Sequence, residues 1–270
     1  MSSFFETVTA AINDFMAHGF DSQKRLDDWV KQIKAAAIRS LVPESTLDRE
    51  LRRTLTTAYK RTIIKIQPTV GRFTVERLKP KARRELDRRI MVSANLIKLN
   101  RQQSIDKTLQ RFSGWATSIP AGGSDTTDKK EQKDLIRKSL ASLPYEERRV
   151  IIDQSHKLSA AISEIIAVGG GAIAAVWKSH YKQPGYDYRQ DHKERDDRVY
   201  LLENSWAREK GFVKAGDAGY LESITRPGEE VNCRCSYVYV FSIGDLPENM
   251  LTDKGHAMIA QINERSKNHA

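Results

Sequence analysis

Apolar residues recur three and four positions apart through most of the first 112 residues, which is the spacing of one face of an α-helix. In the first such segment Phe4, Val8 and Ile12 share a face, and Gly19 is expected to end the helix. A second amphipathic helix is predicted over 21–41 in the same way. The start of the chain is therefore predicted to be a bundle of helices.

Prolines and cap residues set the expected limits of the next helices. Ser45 and Thr46 are good N-cap residues, so a third helix is predicted to start there and to run toward Pro68. Over 74–112 the apolar spacing predicts one or two further helices with an interruption near Pro80. These helices make up a predominantly helical N-terminal region.

A segment rich in Gly, Pro, Ser, Thr and Asp follows this region and is typical of a loop. It lies within 114–133, which is predicted to be a linker. The linker separates a helical, basic domain at 1–113 from a second domain at 134–270.

The pattern of the second domain changes part of the way along it. A short helix is predicted over 134–143, and a longer one begins at Pro144, which suits the first helical position, and ends at Gly169. Beyond the glycines, strands are predicted over 173–180 and 234–241, the second of them with an alternation of period two. The predicted fold class is therefore α+β, with a predominantly helical N-terminal region followed by a small C-terminal α+β domain.

Composition limits the class of protein. The chain has 270 residues, of which 39% are hydrophobic and 30% are charged, as in a soluble protein with one large or two modest domains. No apolar run reaches the roughly 18 residues that a membrane span needs, so no membrane partner is expected. The N-terminus lacks the basic flank and apolar core of a secretory signal, so an intracellular product is expected.

The net charge of +10 comes from one segment. Residues 52–111 hold seventeen Lys and Arg against four Asp and Glu, a balance of +13, while the rest of the chain sums to −3. A guanidinium donates two hydrogen bonds to an oxyanion, so arginines suit phosphate contact. Four arginines within two helical turns are predicted to contact DNA: Arg83, Arg84, Arg88 and Arg89. The alternatives are a solvated helix face and a surface that docks on an acidic partner.

Both cysteines of the chain lie in Cys233-Arg234-Cys235. A disulfide between them would close a tiny, strained ring. On a strand the two thiols point to one side, where they can bind one Zn²⁺ together with His180 and His192. This predicted Cys₂His₂ site is closed and tetrahedral, so its zinc is expected to be structural. In the alternative without metal, Cys235 packs in the core and His192 bonds to the loop backbone.

The C-terminal part of the chain carries short motifs in a fixed order. Arg189-x-x-His192 is followed by Pro227-Gly228 and then by Asn232-Cys233-Arg234-Cys235, which leads into the last predicted strand. In this order and ending, residues 170–241 resemble the C-terminal domain of the phage Mu F-like, or head-morphogenesis, family of minor head proteins. Family members often carry Asp-Gly soon after the histidine, whereas this chain has Asp196-Asp197-Arg198.

The resemblance implies a structural minor head (minor capsid) protein of a tailed bacteriophage, not an enzyme. Such a protein is assembled in the host cytoplasm and is present in multiple copies in the virion. It associates with the portal protein or the major capsid protein inside the head and aids head morphogenesis or DNA packaging and delivery. The segment 52–111 would then contact packaged double-stranded DNA nonspecifically, because attraction to phosphate charge reads no sequence.

Two other classes of protein stay open. One is a zinc-stabilised nucleic-acid-binding protein unrelated to phage, whose basic helices and Cys/His site would look the same. The other is an enzyme: a cysteine protease in which His192 activates Cys233, or an ADP-ribosyltransferase. Glu222, Glu229 and Glu230 are available for the transferase, but they lie in a turn-rich loop and none is assigned as its catalytic glutamate. Against the protease, Cys233 is predicted at a strand start and not at a helix N-terminus, which would lower its pKa.

Overall fold

The structure is a computed structural model that describes residues 3–124 and 128–268, with backbone only for 266–268. Its helices are α1 (Phe4–His18), α2 (Gln23–Ser40), α3 (Glu44–Val70), α4 (Arg72–Ser118), α5 (Lys129–Gly169), α6 (Gln190–Glu194), α7 (Trp206–Glu209) and α8 (Asp253–Asn268). Its strands are β1 (Ala174–Lys178), β2 (Val199–Leu201) and β3 (Ser236–Val240). Helices precede a small C-terminal region that holds the sheet, which confirms the predicted α+β class. Within the described residues, no helix is long and apolar enough to cross a membrane.

The chain forms two compact units, each built from two separate segments. Unit 1 comprises Met1–Arg52 and Met91–Ile151, and unit 2 comprises Arg53–Ile90 and Ile152–Ala270. Their borders fall inside α3, α4 and α5, so each of these helices contributes residues to both units.

The connection between α4 and α5 lies inside the segment 114–133 that was predicted to be a linker, and it belongs to unit 1. Helix covers both ends of the predicted linker, since α4 continues to Ser118 and α5 begins at Lys129. Residues 125–127 of the linker lie outside the described residues, as do 1–2 and 269–270 of the predicted domains.

Unit 1 has a helical core whose first element follows the sequence prediction. Ser3 and Glu6 form a capping box at the start of α1, and Gly19 ends the helix with a φ of 71°. The apolar face of α1 is buried, and Phe15 meets the ring of Phe112 edge-on at 5.7 Å between centroids. The same core includes residues of α2, α4 and α5.

Three prolines lie inside helices, which corrects the predicted interruptions. α3 begins at Glu44 and continues past Pro68, α4 is continuous through Pro80, and α5 is continuous through Pro144. A proline inside a helix costs roughly 3 kcal/mol, because it removes one hydrogen bond and crowds the preceding turn. Helices of 47 and 41 residues bury apolar side chains on both sides of the proline, and this packing outweighs the local cost.

Unit 2 contains an antiparallel sheet with the strand order β2-β1-β3. Each face of the sheet covers a separate apolar cluster. One cluster includes Ala174, Leu201 and Val240, and the other includes Trp177 and Cys235. The alternation predicted for the last strand is therefore correct, whereas β2 has no counterpart among the predicted strands.

Candidate metal centre

Three of the predicted metal ligands meet at one buried point of unit 2. His192 lies on α6, while Cys233 and Cys235 lie in the segment that leads into β3. The Nδ1 atom of His192 lies 3.7 Å from Sγ of Cys233 and 3.6 Å from Sγ of Cys235. The exposed fractions of these residues are 1%, 2% and 7%. This group can therefore bind a metal ion away from solvent.

The loop before the cysteines is held in place by main-chain contacts. Asn232 has a φ of 61°, a conformation that asparagine tolerates better than most residues. Its N–H donates to Oδ1 of Asp153 on α5 at 2.7 Å. Its carbonyl accepts from the hydroxyl of Tyr186, and the same hydroxyl accepts from the N–H of Arg234. The two residues that flank Cys233 are thus fixed by one tyrosine.

Gly228 allows the loop to approach α5 closely. A Cβ atom at this position would lie 3.2 Å from Cα of Lys157, and the φ of Gly228 is 83°. Both features require glycine, because a side chain would crowd the helix backbone and strain the turn. Pro227, next to it, is buried.

The far side of the His192 ring faces a carboxylate. Nε2 of His192 lies 2.7 Å from Oε2 of Glu230, although the contact is poorly aligned for a hydrogen bond. Nε of Arg189 lies 3.2 Å from the same oxygen, and Arg189 also donates to the carbonyl of Val231. Two residues of the Arg-x-x-His motif therefore share one glutamate.

One aromatic ring packs against the histidine. The ring of Trp177 contacts the ring of His192 edge-on at 5.1 Å and that of Tyr237 at 5.6 Å. The guanidinium of Arg195 lies over Trp177, 5.0 Å from the ring centroid. Trp177 thus packs against the buried imidazole and restricts its orientation.

The two thiols have opposite pKa shifts. A hydrogen bond from Cys235 lowers the pKa of Cys233 to about 5, against burial, and the N–H groups of Gly228 and Cys235 and the charge of His192 act in the same direction. The hydrogen bond to Cys233 and burial raise the pKa of Cys235, against hydrogen bonds from the N–H of His180 and from Ser179. Without metal, the pair therefore shares one proton between a thiolate and a thiol.

The structure does not bring His180 into this group. Its side chain is exposed, and its ring meets that of Tyr186 edge-on at 6.4 Å. The predicted fourth ligand is thus outside the cluster, because His180 lies at the surface just after the end of β1. Only its backbone N–H reaches the thiol of Cys235.

The four arginines predicted to contact DNA lie on one stretch of α4 in unit 2. Arg88 forms a two-pronged pair with Glu85, and Arg83 pairs with Asp87. Arg84 is exposed, with no ion pair among the described residues. The side chain of Arg89 is only 15% exposed and donates to Gln154 and Glu85, so it is directed into the unit and offers little to an external phosphate.

The motif residues quoted for the family resemblance converge on the centre. They are Arg189, His192, Pro227, Gly228, Asn232, Cys233 and Cys235. Asp153 and Glu230 are two of the supporting residues that were not predicted for this site. Asp153 lies on α5, and no local pattern connects it with the loop. Glu230 lies between the Pro227-Gly228 motif and the motif that begins at Asn232. This position was the one feature of the sequence that could have indicated its role at the site.

Comparison of the chain with protein-family models, with curated proteins and with solved structures found no match. The functional interpretation therefore depends on the geometry of the centre and on the order of the motifs. Both belong to unit 2.

Proposed function

We propose that this chain is a structural minor head protein of a tailed bacteriophage whose unit 2 is stabilised by one bound Zn²⁺. The observation that carries the proposal is the convergence of the ordered motif residues on a single buried His/Cys/Cys centre. Residues that are far apart in the sequence serve one site, which explains why the motifs occur together. The sites of action are the virion head and its portal region.

Zinc is favoured by the distances within the centre. Zinc binds cysteine sulfur at about 2.3 Å and histidine nitrogen at about 2.0–2.1 Å in a tetrahedral arrangement. Two such ligands are about 3.6 Å apart, by the geometry of a tetrahedron. The two sulfur-to-Nδ1 distances are 3.7 and 3.6 Å. An ion can therefore enter with little movement of the three side chains.

The surroundings of the ligands also suit a metal. A metal-bound histidine usually directs its second ring nitrogen to a carboxylate, and Nε2 of His192 lies 2.7 Å from Oε2 of Glu230. The N–H groups of Gly228 and His180 stabilise thiolate character at Cys233 and Cys235. Thiolate is the form that binds zinc, so the metal would displace the proton that the pair otherwise shares.

Burial favours a structural role for the metal. A catalytic zinc keeps a position open to water or substrate, whereas the three ligands here are nearly inaccessible. The bound ion would instead connect α6 to the segment that leads into β3. In a protein that must persist inside a filled head, such a link stabilises a small sheet that has three strands in the described part of the chain.

Nonspecific DNA contact is assigned to three arginines of α4. Arg83, Arg84 and Arg88 are exposed, and the pair of Arg83 with Asp87 lies on the surface. Such a surface pair contributes only about 0–1 kcal/mol, so phosphate can replace Asp87 at little cost. The side chain of Arg88 is 53% exposed, whereas that of its partner Glu85 is 13% exposed.

The zinc proposal is tested by elemental analysis and by a thermal melt before and after chelation. About one zinc per chain and a large fall in the melting temperature on chelation support it. The variant Cys233→Ser/Cys235→Ser should hold no zinc and should melt at the same temperature with or without chelator. A metal-free native protein with an unchanged melt would refute the proposal.

The assembly proposal is tested by co-purification with the portal and major capsid proteins of the same phage. Retention of the chain by the portal or capsid protein supports the minor head function. Salt-sensitive DNA binding without such retention would favour the zinc-stabilised nucleic-acid-binding protein instead.

DNA contact is tested by the salt dependence of affinity for random-sequence duplexes. The variant Arg83→Gln/Arg84→Gln/Arg88→Gln should reduce the salt slope by about one for each phosphate that the variant no longer binds. The matched control is Lys24→Gln/Lys31→Gln/Lys34→Gln on α2, which removes the same charge from exposed positions in unit 1. Equal reductions in both variants would show that only net charge matters.

One arrangement favours a second candidate, a cysteine nucleophile. Glu230, His192 and Cys233 lie in the order carboxylate, imidazole and thiol, and the pKa of Cys233 is lowered to about 5. Rapid alkylation of Cys233 by iodoacetamide in the native, metal-free protein would support this candidate. Protection of both thiols until unfolding would support the structural centre.

A further inference from the structure

We propose that unit 2 carries a second binding site, a pocket that holds an arginine side chain of a partner protein. Residues of the last turns of α5 and of the short helix α7 line this pocket, and all of its lining residues belong to unit 2. The site goes beyond the proposed function and does not depend on a metal ion.

The pocket has the size and the surface of a ligand site. Its volume is about 480 Å³, and small-ligand sites occupy roughly 300–1,000 Å³. Apolar surface comes from Val168, Ala172, Leu202 and Leu221. An arginine packs the methylene stem of its side chain along such a surface, whereas an inorganic cation has no stem to bury. The lining therefore favours a long cationic side chain.

The charged groups around the pocket favour a cation. Glu164, Glu209 and Glu222 line it, against one arginine, Arg226. Nη1 of Arg226 lies 2.5 Å from Oε1 of Glu164, so these two charges balance. Oε2 of Glu222 accepts the N–H of Glu203 at 3.1 Å, which orients this carboxylate. Glu209 and Glu222 form no ion pair within the part of the chain that the structure describes, so two carboxylates remain to bind a cation.

The carboxyl of Glu164 shows that these negative charges act on one another. Its pKa is raised by desolvation, against its pairing with Arg226, and the charges of Glu229 and Glu222 add to the rise. A cation among these groups would relieve their repulsion, whereas a phosphate would increase it. The pocket is therefore not a part of the DNA-contacting surface.

A buried hydroxyl without a partner lines the same pocket. Ser205 is 4% exposed and lies at the N-cap position of α7, but its side chain does not cap the helix. Its Oγ has no hydrogen-bond partner among the described residues. A buried polar atom without a partner costs free energy, and an N–H group of a ligand would remove that cost.

Trp206 is held as a fixed wall of the pocket and selects arginine over lysine. Its Nε1–H donates to the carbonyl of Gly171 at 3.0 Å, and its ring meets that of Phe212 edge-on at 6.4 Å. The residue is still 39% exposed, so a ligand can reach it from outside. A guanidinium stacks on an aromatic ring while its planar fork pairs with carboxylates, and an ammonium group has no such plane.

The test follows the indole N–H signals of the full chain by NMR. The chain has four tryptophans, so ¹⁵N labelling of the indoles gives four signals, and Trp206→Phe identifies the one from Trp206. The probes are the peptide acetyl-Gly-Arg-Gly-amide, the same peptide with citrulline in place of arginine, and methylguanidinium. Citrulline has the shape of arginine but carries no charge.

We expect the arginine peptide to shift the Trp206 signal saturably and to bind at least about tenfold more tightly than the citrulline peptide. Glu209→Gln/Glu222→Gln should weaken binding of the arginine peptide about fivefold or more. The matched control is Glu194→Gln/Glu248→Gln, which removes two exposed carboxylates of unit 2 outside the pocket. Its affinity should stay within about twofold of wild type.

Ser205→Ala separates ligand contact from a structural role. Since the hydroxyl bonds to none of the described residues, the variant should unfold in urea at the wild-type concentration. Its affinity for the arginine peptide should nevertheless fall roughly twofold to tenfold, the range for one hydrogen bond.

Several results would overturn the inference. An unchanged Trp206 signal at millimolar arginine peptide, or equal affinities of the arginine and citrulline peptides, would show that the pocket does not recognise a guanidinium. Equal weakening in the two double variants would show that only net charge matters. If methylguanidinium bound as tightly as the peptide, the ligand would be a small free cation and not a side chain of a partner protein.

Discussion

The imidazole of His192 contacts Glu230 with one nitrogen and the two thiols with the other. Nε2 lies 2.7 Å from Oε2 of Glu230, and Nδ1 lies 3.6–3.7 Å from the sulfur atoms of Cys233 and Cys235. Nε2 therefore faces a carboxylate while Nδ1 faces the thiols. This is the orientation that an imidazole needs in order to bind a metal through Nδ1 with a carboxylate behind it.

The first prediction concerns this carboxylate. Glu230→Gln should weaken zinc binding by about 10- to 100-fold, because an amide neither holds the Nε2 proton as strongly nor raises the basicity of the ring. The measurement is chelator competition on the purified chain at fixed pH.

The matched control is Glu194→Gln, which removes an exposed carboxylate from α6, the helix that carries His192. Its affinity should stay within about twofold of wild type, since charge alone is screened at the surface. Equal weakening in the two variants would mean that Glu230 acts only through net charge.

The second prediction concerns pH and the metal-free protein. The pKa of Cys233 is lowered in the folded state from 9.0 to about 5, mainly by the hydrogen bond from Cys235. A lowered folded-state pKa adds stability that is fully present above pH 9 and is lost as the pH falls toward 5. The difference in unfolding free energy between wild type and Cys233→Ala should therefore shrink over this range in urea titrations.

Cys235 tests the origin of that effect. Its pKa is raised, so it is protonated in both states below pH 9 and adds no slope there. Cys235→Ala removes the donor to Cys233 and should flatten the pH dependence. If the unfolding free energies of wild type and Cys233→Ala depended on pH in the same way, the lowered pKa of Cys233 would be contradicted.

Local patterns in the sequence were enough to predict several elements. The buried face of α1 and its end at Gly19 follow from apolar spacing and one glycine. The alternation around Cys233 and Cys235 correctly predicted that both thiols face the same side, where they join one apolar cluster. His192 was also identified as a ligand, because the C-terminal part of the chain offers few histidines that could join the cysteine pair.

Features that depend on long-range packing were not predicted. Pro80 and Pro144 indicated helix limits, but apolar contacts on both sides keep each helix continuous. Asp153 supports the ligand loop from another helix, and no spacing rule connects the two. His180 was chosen as a ligand by sequence proximity, whereas the turn after β1 leaves its side chain at the surface.

The third prediction concerns the glycine of the Pro-Gly motif. Gly228→Ala should destabilise unit 2, because the φ of 83° strains a side chain and the new methyl group would lie 3.2 Å from Cα of Lys157. Gly211→Ala is the control, since its φ is 72° but its Cβ would meet nothing within 4 Å.

Both variants incur the strain of a left-handed conformation, about 1–2 kcal/mol. Gly228→Ala should be destabilised more than Gly211→Ala in urea unfolding and should also bind zinc more weakly, because the amide of Gly228 bonds to Cys233. Equal destabilisation with unchanged zinc affinity would show that the contact with α5 relaxes at no cost.

The fourth prediction concerns a buried ion pair in unit 1. Nε of Arg101 on α4 lies 2.5 Å from Oε1 of Glu147 on α5, and the two side chains are 7% and 6% exposed. Glu147→Ala leaves an unpaired buried guanidinium and should cost about 3–5 kcal/mol of unfolding free energy. The double variant Arg101→Met/Glu147→Met should recover most of this stability, because it removes both charges and keeps apolar volume.

An exposed pair of the same unit provides the comparison. Arg52 and Asp48 pair on α3 with side chains 60% and 43% exposed, so Asp48→Ala should cost only about 0–1 kcal/mol. Urea unfolding followed by circular dichroism measures all three variants against wild type. If Glu147→Ala lowered the unfolding free energy as little as Asp48→Ala, water would have to reach the guanidinium of Arg101. The Arg101–Glu147 pair would then contribute little to the specificity of the helix packing.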